Sequence, residues 1–386
     1  MIVKRMLRIL LVFATVIFAL CADSLTVYSL ESDGDSDTRE IMDSLAQQSG
    51  ADELMFHIPN SAKEFLKKIN MTDFSSEGIS ELSFDSVMLA VGYSIKSNMY
   101  EPLRVLSCVL GVILINAVFD SLKYSESSSN NIISLVSALC ILSLIASPML
   151  SLVGELSATI ENSANFMTLY IPVISILVVI SGKQLSGGAF YASMIYISNV
   201  ISQLSARIIV PMLHAILSLS IVTSVSDKVS LEGIVSLFKK LVKWILCFCM
   251  SMFVAFITMK TVVTAAEDSI SNRAIKFAIN SFVPLVGGAL SDAYQTVISC
   301  VGVLKSGVGV AAVVVVFAIF LPAVVKCVLW QAIITVSGSV CDVFQINRLS
   351  SLLSSFGKIL SSICAILLSI MVIYIVSTAV IIIVGG

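Results

Sequence analysis

The sequence predicts an all-α, polytopic helical membrane protein of about eight to ten spans, some broken by proline and glycine or re-entrant. Three observations predict it. Hydrophobic residues fill 57% of the 386 positions and charged residues only 12%, where a soluble domain carries about 25% charge. The mean hydropathy is +1.01, and too few polar side chains remain to cover a water-soluble core of this length. From Leu103 onward, apolar runs of roughly bilayer-crossing length follow one another, without the alternation of a barrel strand. Lipid leaves no backbone group unpaired, so these runs are read as helices.

Residues 1–22 have the layout of a cleavable secretory signal. Lys4, Arg5 and Arg8 precede an apolar run over 9–22, too short to span comfortably. Cleavage fits after Cys21 or after Ser24; a lipoprotein signal acylated at Cys21 fits less well, because Leu20 stands where a small residue is expected.

Residues 23–100 are read as an acidic extracytoplasmic segment. Between 23 and 85 there are 14 acids against Arg39, Lys63, Lys67 and Lys68, a net charge of -10. From Lys96 to the end, 16 bases face 11 acids, a net +5. Residues 23–53 are Ser-rich and poor in aromatics, a composition that cannot repay ordering. Leu54, Phe56, Ile58, Phe65, Leu66 and Ile69 then punctuate charged residues, and predict short amphipathic helices against the membrane surface or a partner. His57 stands without a second metal ligand and is read as solvent-facing. No basic stretch is long or aqueous enough to track nucleic acid.

Residues 101–386 form the multi-pass membrane domain. Its expected spans are about 103–119, 132–153, 166–181, 189–206, 208–225, 244–263, 283–304, 307–325, 327–346 and 359–384. With the mature N-terminus outside, Lys123, Lys183, the loop holding Lys228, Lys239, Lys240 and Lys243, and then Lys305, Arg348 and Lys358 fall inside. Glu155 and Glu161 fall in an outer loop, in line with the positive-inside rule. Arg207, Arg273, Lys276 and Lys326 are exceptions on the outer side, two of them offset by Glu267 and Asp268.

Pro148, Pro172, Pro211, Pro284 and Pro322 lie in or beside apolar runs, where proline breaks the helical ladder. Residues 281–292 combine Pro284, Gly287 and Gly288 with Ser291 and Asp292, the strongest candidate for a re-entrant segment. A buried Asp292 would be costly and so functional by default; an interfacial loop with a wet Asp292 is the competing reading. Over 225–244, Val229, Ile234, Phe238 and Leu241 oppose the lysines. This is a basic cytoplasmic surface helix that suits anionic lipid or an acidic partner face, or else a plain topogenic cluster. Serines at helical spacing, such as Ser198, Ser202 and Ser205, fit close helix packing.

No reaction centre emerges. The nine cysteines include no Cys-x-x-Cys pair, and most stand singly in or beside apolar runs, as small hydrophobes do. There is no His-Glu-x-x-His, no Gly-x-Ser-x-Gly and no complete P-loop; the second histidine, His214, follows Pro211 and Met212. No catalytic residue, cofactor or metal is expected, and any ATP consumed in transport would be hydrolysed by another chain.

Residues 261–268 (Thr-Val-Val-Thr-Ala-Ala-Glu-Asp) and 272–292 carry a resemblance. The latter run from Asn272, Arg273 and Lys276 through Phe-Val-Pro284 to Gly287, Gly288, Ser291 and Asp292. Together with the layout of signal, acidic segment and interrupted spans, they resemble the stage III sporulation protein AE family of endospore-forming bacteria. The resemblance marks Arg273, Lys276, Pro284, Gly287, Gly288, Ser291 and Asp292 as positions of interest and implies no catalytic residue. It implies a non-enzymatic membrane subunit of the channel or secretion-like complex that links mother cell and forespore and supports late forespore development. The implied partners are other membrane proteins of the same operon, a secretion-type ATPase, ring-forming proteins and a forespore membrane partner, stage II sporulation protein Q. A homo-oligomer is compatible with that role. The implied location is the mother-cell membrane around the forespore. The alternative is a self-sufficient secondary transporter, which the interrupted helices permit but for which no internal repeat is evident.

Overall fold

Where the solvent is lipid, a chain keeps its backbone paired by staying helical, and it does so even through proline. The computed structural model describes residues 58–69, 84–121, 129–180, 203–225, 233–249, 251–256 and 287–384, with a few single positions between 44 and 231. The helices are α1 (Asn60–Lys68), α2 (Phe84–Asn98), α3 (Tyr100–Ser121), α4 (Ser129–Ile180), α5 (Val210–Val225), α6 (233–249), α7 (Gly287–Val343) and α8 (Asn347–Val384). A π-helical turn over Ser205–Ile209 runs directly into α5. No strand occurs among the described residues. Five stretches are long and apolar enough to cross a membrane: Tyr100–Phe119, Leu135–Leu177, Ser205–Thr223, Gly307–Val343 and Asn347–Thr378. The all-helical membrane architecture expected from composition is the one observed.

Helix α7 is the axis of the bundle. It packs against α1, α2, α3, α4 and, most extensively, α8. Residues 307–321 are buried on every side, Val308, Ala311, Val315, Ala318 and Phe320 completely. Small and β-branched side chains here let the neighbouring helices approach closely, as membrane packing favours. At Gly357 of α8, an added Cβ would stand 3.4 Å from Gln331 Nε2 and 3.6 Å from Ile334 of α7.

The span boundaries differ from expectation. The predicted spans 132–153 and 166–181 are one helix, α4, and 307–325 and 327–346 lie almost wholly in another, α7. Residues 154–165, read as an outer loop, are helical because Val153, Leu156, Ile160 and Ser163 continue one fully buried stripe. Pro148, Pro172 and Pro322 lie inside helices and do not end them. One lost hydrogen bond costs less in lipid than exposing several backbone groups. Ahead of Pro211, the Val210 N–H reaches back to the Ser205 carbonyl, and this π-turn absorbs the strain as a local widening. Lys305 and Lys326 sit within α7, and Lys358 within α8, so none of the three is a loop charge.

The link from α7 to α8 is tight. Gln345 takes φ 58°. Its N–H donates to the Asp342 carbonyl (3.1 Å) and the Ile346 N–H to the Cys341 carbonyl (3.0 Å), the two bonds of a Schellman cap. Ser350 Oγ of α8 donates to the Asp342 carboxylate and closes the corner.

The amphipathic segment predicted after residue 54 docks on its own chain. Ala62, Phe65 and Leu66 of α1, with Leu54, Ile58, Ile69 and Met71 around it, are buried. Phe65 meets Phe317 of α7 edge-on, ring centroids 6.1 Å apart, a favoured aromatic geometry. On the polar side, Lys63 Nζ donates to the Phe56 carbonyl (3.0 Å) and Lys68 Nζ lies 3.0 Å from the Tyr93 ring centroid of α2.

Candidate functional site

An isolated charge inside a long apolar helix is expensive and needs a partner at the same depth. Glu155 lies midway along α4, and Lys326 lies in the middle of the apolar stretch Gly307–Val343 of α7. They meet: Lys326 Nζ donates to Glu155 Oε1 at 2.6 Å, each side chain 34% exposed. Apolar runs extend on either side of each charge, so the pair is a polar contact between two otherwise apolar helix faces. Its exposure sets it at the flank of the bundle and not in the core.

A second set of polar groups lines the contact of α7 with α8 just beyond. Cys327 Sγ donates to the Leu360 carbonyl (3.4 Å). Thr335 Oγ1 donates to the Gln331 carbonyl (2.7 Å), while the buried Gln331 Oε1 and Ser337 Oγ have no partner among the described residues. Chemically, a neutralising acid–base pair fixes two helices in register. Among the described residues no group of three or more His, Cys, Asp and Glu stands close enough to hold a metal.

The positions singled out from sequence distribute unevenly. Gly287 and Gly288 open α7, and Ser291 and Asp292 fall in its first two turns, so residues 287–292 are helical, while 281–286 of the expected re-entrant segment lie outside the described residues. Arg273, Lys276 and Pro284 lie outside the described residues, as do Lys228 and His57. Lys239, Lys240 and Lys243 share α6. Burial holds the Lys239 ammonium below the ordinary lysine value, and the like charge of Lys358 on α8 adds to the shift. The Glu155–Lys326 pair was missed because each charge was assigned to a loop. Its signal was present: Lys326 broke the positive-inside pattern, and the one acid it needed stood in another apolar stretch.

Long apolar helices packed around a buried axis, two of them joined by an ion pair, define an integral membrane protein of the polytopic helical class. Residues 66–385 match the family described as stage III sporulation protein AE, and the chain belongs to that family. A curated relative, the stage III sporulation protein AE of Bacillus subtilis (strain 168), is 26% identical over 160 residues. That match covers 42% of this chain and 40% of the relative's own length. No solved structure matches the fold.

Proposed function

We propose that this chain is a non-enzymatic membrane subunit of a multi-protein channel or secretion-like complex that joins mother cell and forespore during sporulation. In this reading it sits in the mother-cell membrane around the forespore, with residues 23–100 extracytoplasmic. A secretion-type ATPase, ring-forming proteins, a forespore membrane protein and the other stage III membrane proteins are its partners. Family membership supports the sporulation role, and one observation supports the need for partners. The apolar stretch Leu135–Leu177 of α4 has 43 residues, about 65 Å at 1.5 Å per residue, against a hydrocarbon core of about 30 Å. Val136 and Ile176, near its two ends, are 52% and 42% exposed. In a straight helix tilted by about 40° the two would stand about 46 Å apart along the bilayer normal, beyond one hydrocarbon core. Apolar surface left outside lipid has to be covered by protein.

The test places a photo-crosslinking amino acid at Val136 or Ile176 in sporulating cells. At least one position is expected to capture a protein partner in high yield. If both crosslink to lipid alone, the reading fails.

A further inference from the structure

Helix α6 presents an apolar stripe that nothing in the described chain covers. Ile234, Leu237, Leu241, Trp244 and Phe248 recur every three or four residues and are 42–65% exposed, and Met252 continues the line at 59%. The opposite flank is anchored, because Val235, Val242, Cys249 and Phe253 are buried in the core. At 100° per residue, Lys240 and Lys243 fall beside the stripe on its solvent edge, and both are exposed. Residues 233–256 contain three lysines and no acid. Among the described residues Lys239, Lys240 and Lys243 make no ion pair. Trp244 stacks on Phe248 with ring centroids 5.6 Å apart, and tryptophan is a residue type that settles at the headgroup level.

We propose that α6 lies in the membrane interface and binds anionic phospholipid, with Ile234, Leu237, Leu241 and Phe248 against acyl chains and Lys240 and Lys243 on the headgroup phosphates. Charge decides the occupant. A helix carrying only positive charge beside a continuous apolar face complements an anionic leaflet. An aqueous protein partner would have to bury the same stripe and supply every counter-charge. The site is independent of the complex proposed above.

The chain has two tryptophans, and Trp330 is buried in α7. The difference in emission between the full-length protein and its Trp244→Phe variant therefore reports on α6. The full-length protein is reconstituted in phosphatidylcholine vesicles containing a minor fraction of brominated phosphatidylglycerol, and in the converse mixture with brominated phosphatidylcholine. The Trp244 component is expected to be quenched by both lipids, with an apparent preference for the anionic one of roughly fivefold or more, since each interfacial lysine is worth about that factor. Lys240→Gln with Lys243→Gln is expected to erase the preference and leave the quenching. Absence of quenching by either lipid would mean that protein or water meets the stripe, and equal quenching would mean that the lysines select nothing. Either result overturns the proposal, as does a preference unchanged in the double variant.

Discussion

At Gln345 a side chain occupies a backbone conformation that suits glycine. A non-glycine residue at positive φ carries a penalty of roughly 1 kcal/mol, here accepted to close the turn between the two helices with the largest mutual contact. Gln345→Gly should raise the thermal midpoint of the purified protein in detergent, corresponding to about 0.5–1 kcal/mol, while Gln345→Val should lower it. The Glu155–Lys326 pair makes a second residue-scale prediction. Removing one partner strands the other in apolar surroundings; with a third of each side chain exposed, the loss is discounted to about 1–2 kcal/mol. Glu155→Gln and Lys326→Met should each lower thermal stability by that order. The exchanged pair, Glu155→Lys with Lys326→Glu, should recover most of it. No recovery would mean that the two charges act separately. Lys326 stands out in the sequence as an exception to the positive-inside pattern, but its pairing is not legible there, because the two partners stand 171 residues apart and hydropathy alone does not report which faces of two helices meet.

Among elements, α1 shows how far amphipathicity carries and where it stops. The stripe Ile58, Phe65, Leu66, Ile69 was readable and so was the helix, but the surface it covers was not. Phe317 belongs to an apolar run that would face lipid equally well in a helix on its own. Phe65→Ala should cost about 3 kcal/mol of docking energy. Trypsin should then cleave the exposed Lys67 and Lys68 of the reconstituted protein many times faster. Unchanged protection would show that α1 is held by contacts other than Phe65. Helix length was the larger misreading. Pro148, Pro322 and the Glu155–Glu161 interval carry the punctuation of loops in water. In lipid the backbone continues through them, since Leu156 and Ile160 keep the buried stripe in register and Glu155 has its partner.

For the whole molecule, composition alone was sufficient to predict an all-helical membrane protein, because it depends on no particular contact. What composition could not show is that α4, α7 and α8 exceed a bilayer's thickness and that α7 is itself buried over 307–321, with the other helices packed around it. Apolar reach beyond the bilayer supports the proposed place in a larger assembly. Deleting the protein is accordingly expected to abort spores after engulfment while vegetative growth stays normal, and a normal spore yield would contradict that role. The most direct measurement of the central claim is affinity purification of the tagged protein from sporulating cells in mild detergent, with mass-spectrometric identification of what accompanies it. A secretion-type ATPase, ring-forming proteins or a forespore membrane protein is expected in stable association. Recovery of the chain alone, as a monomer or a homo-oligomer, would contradict it.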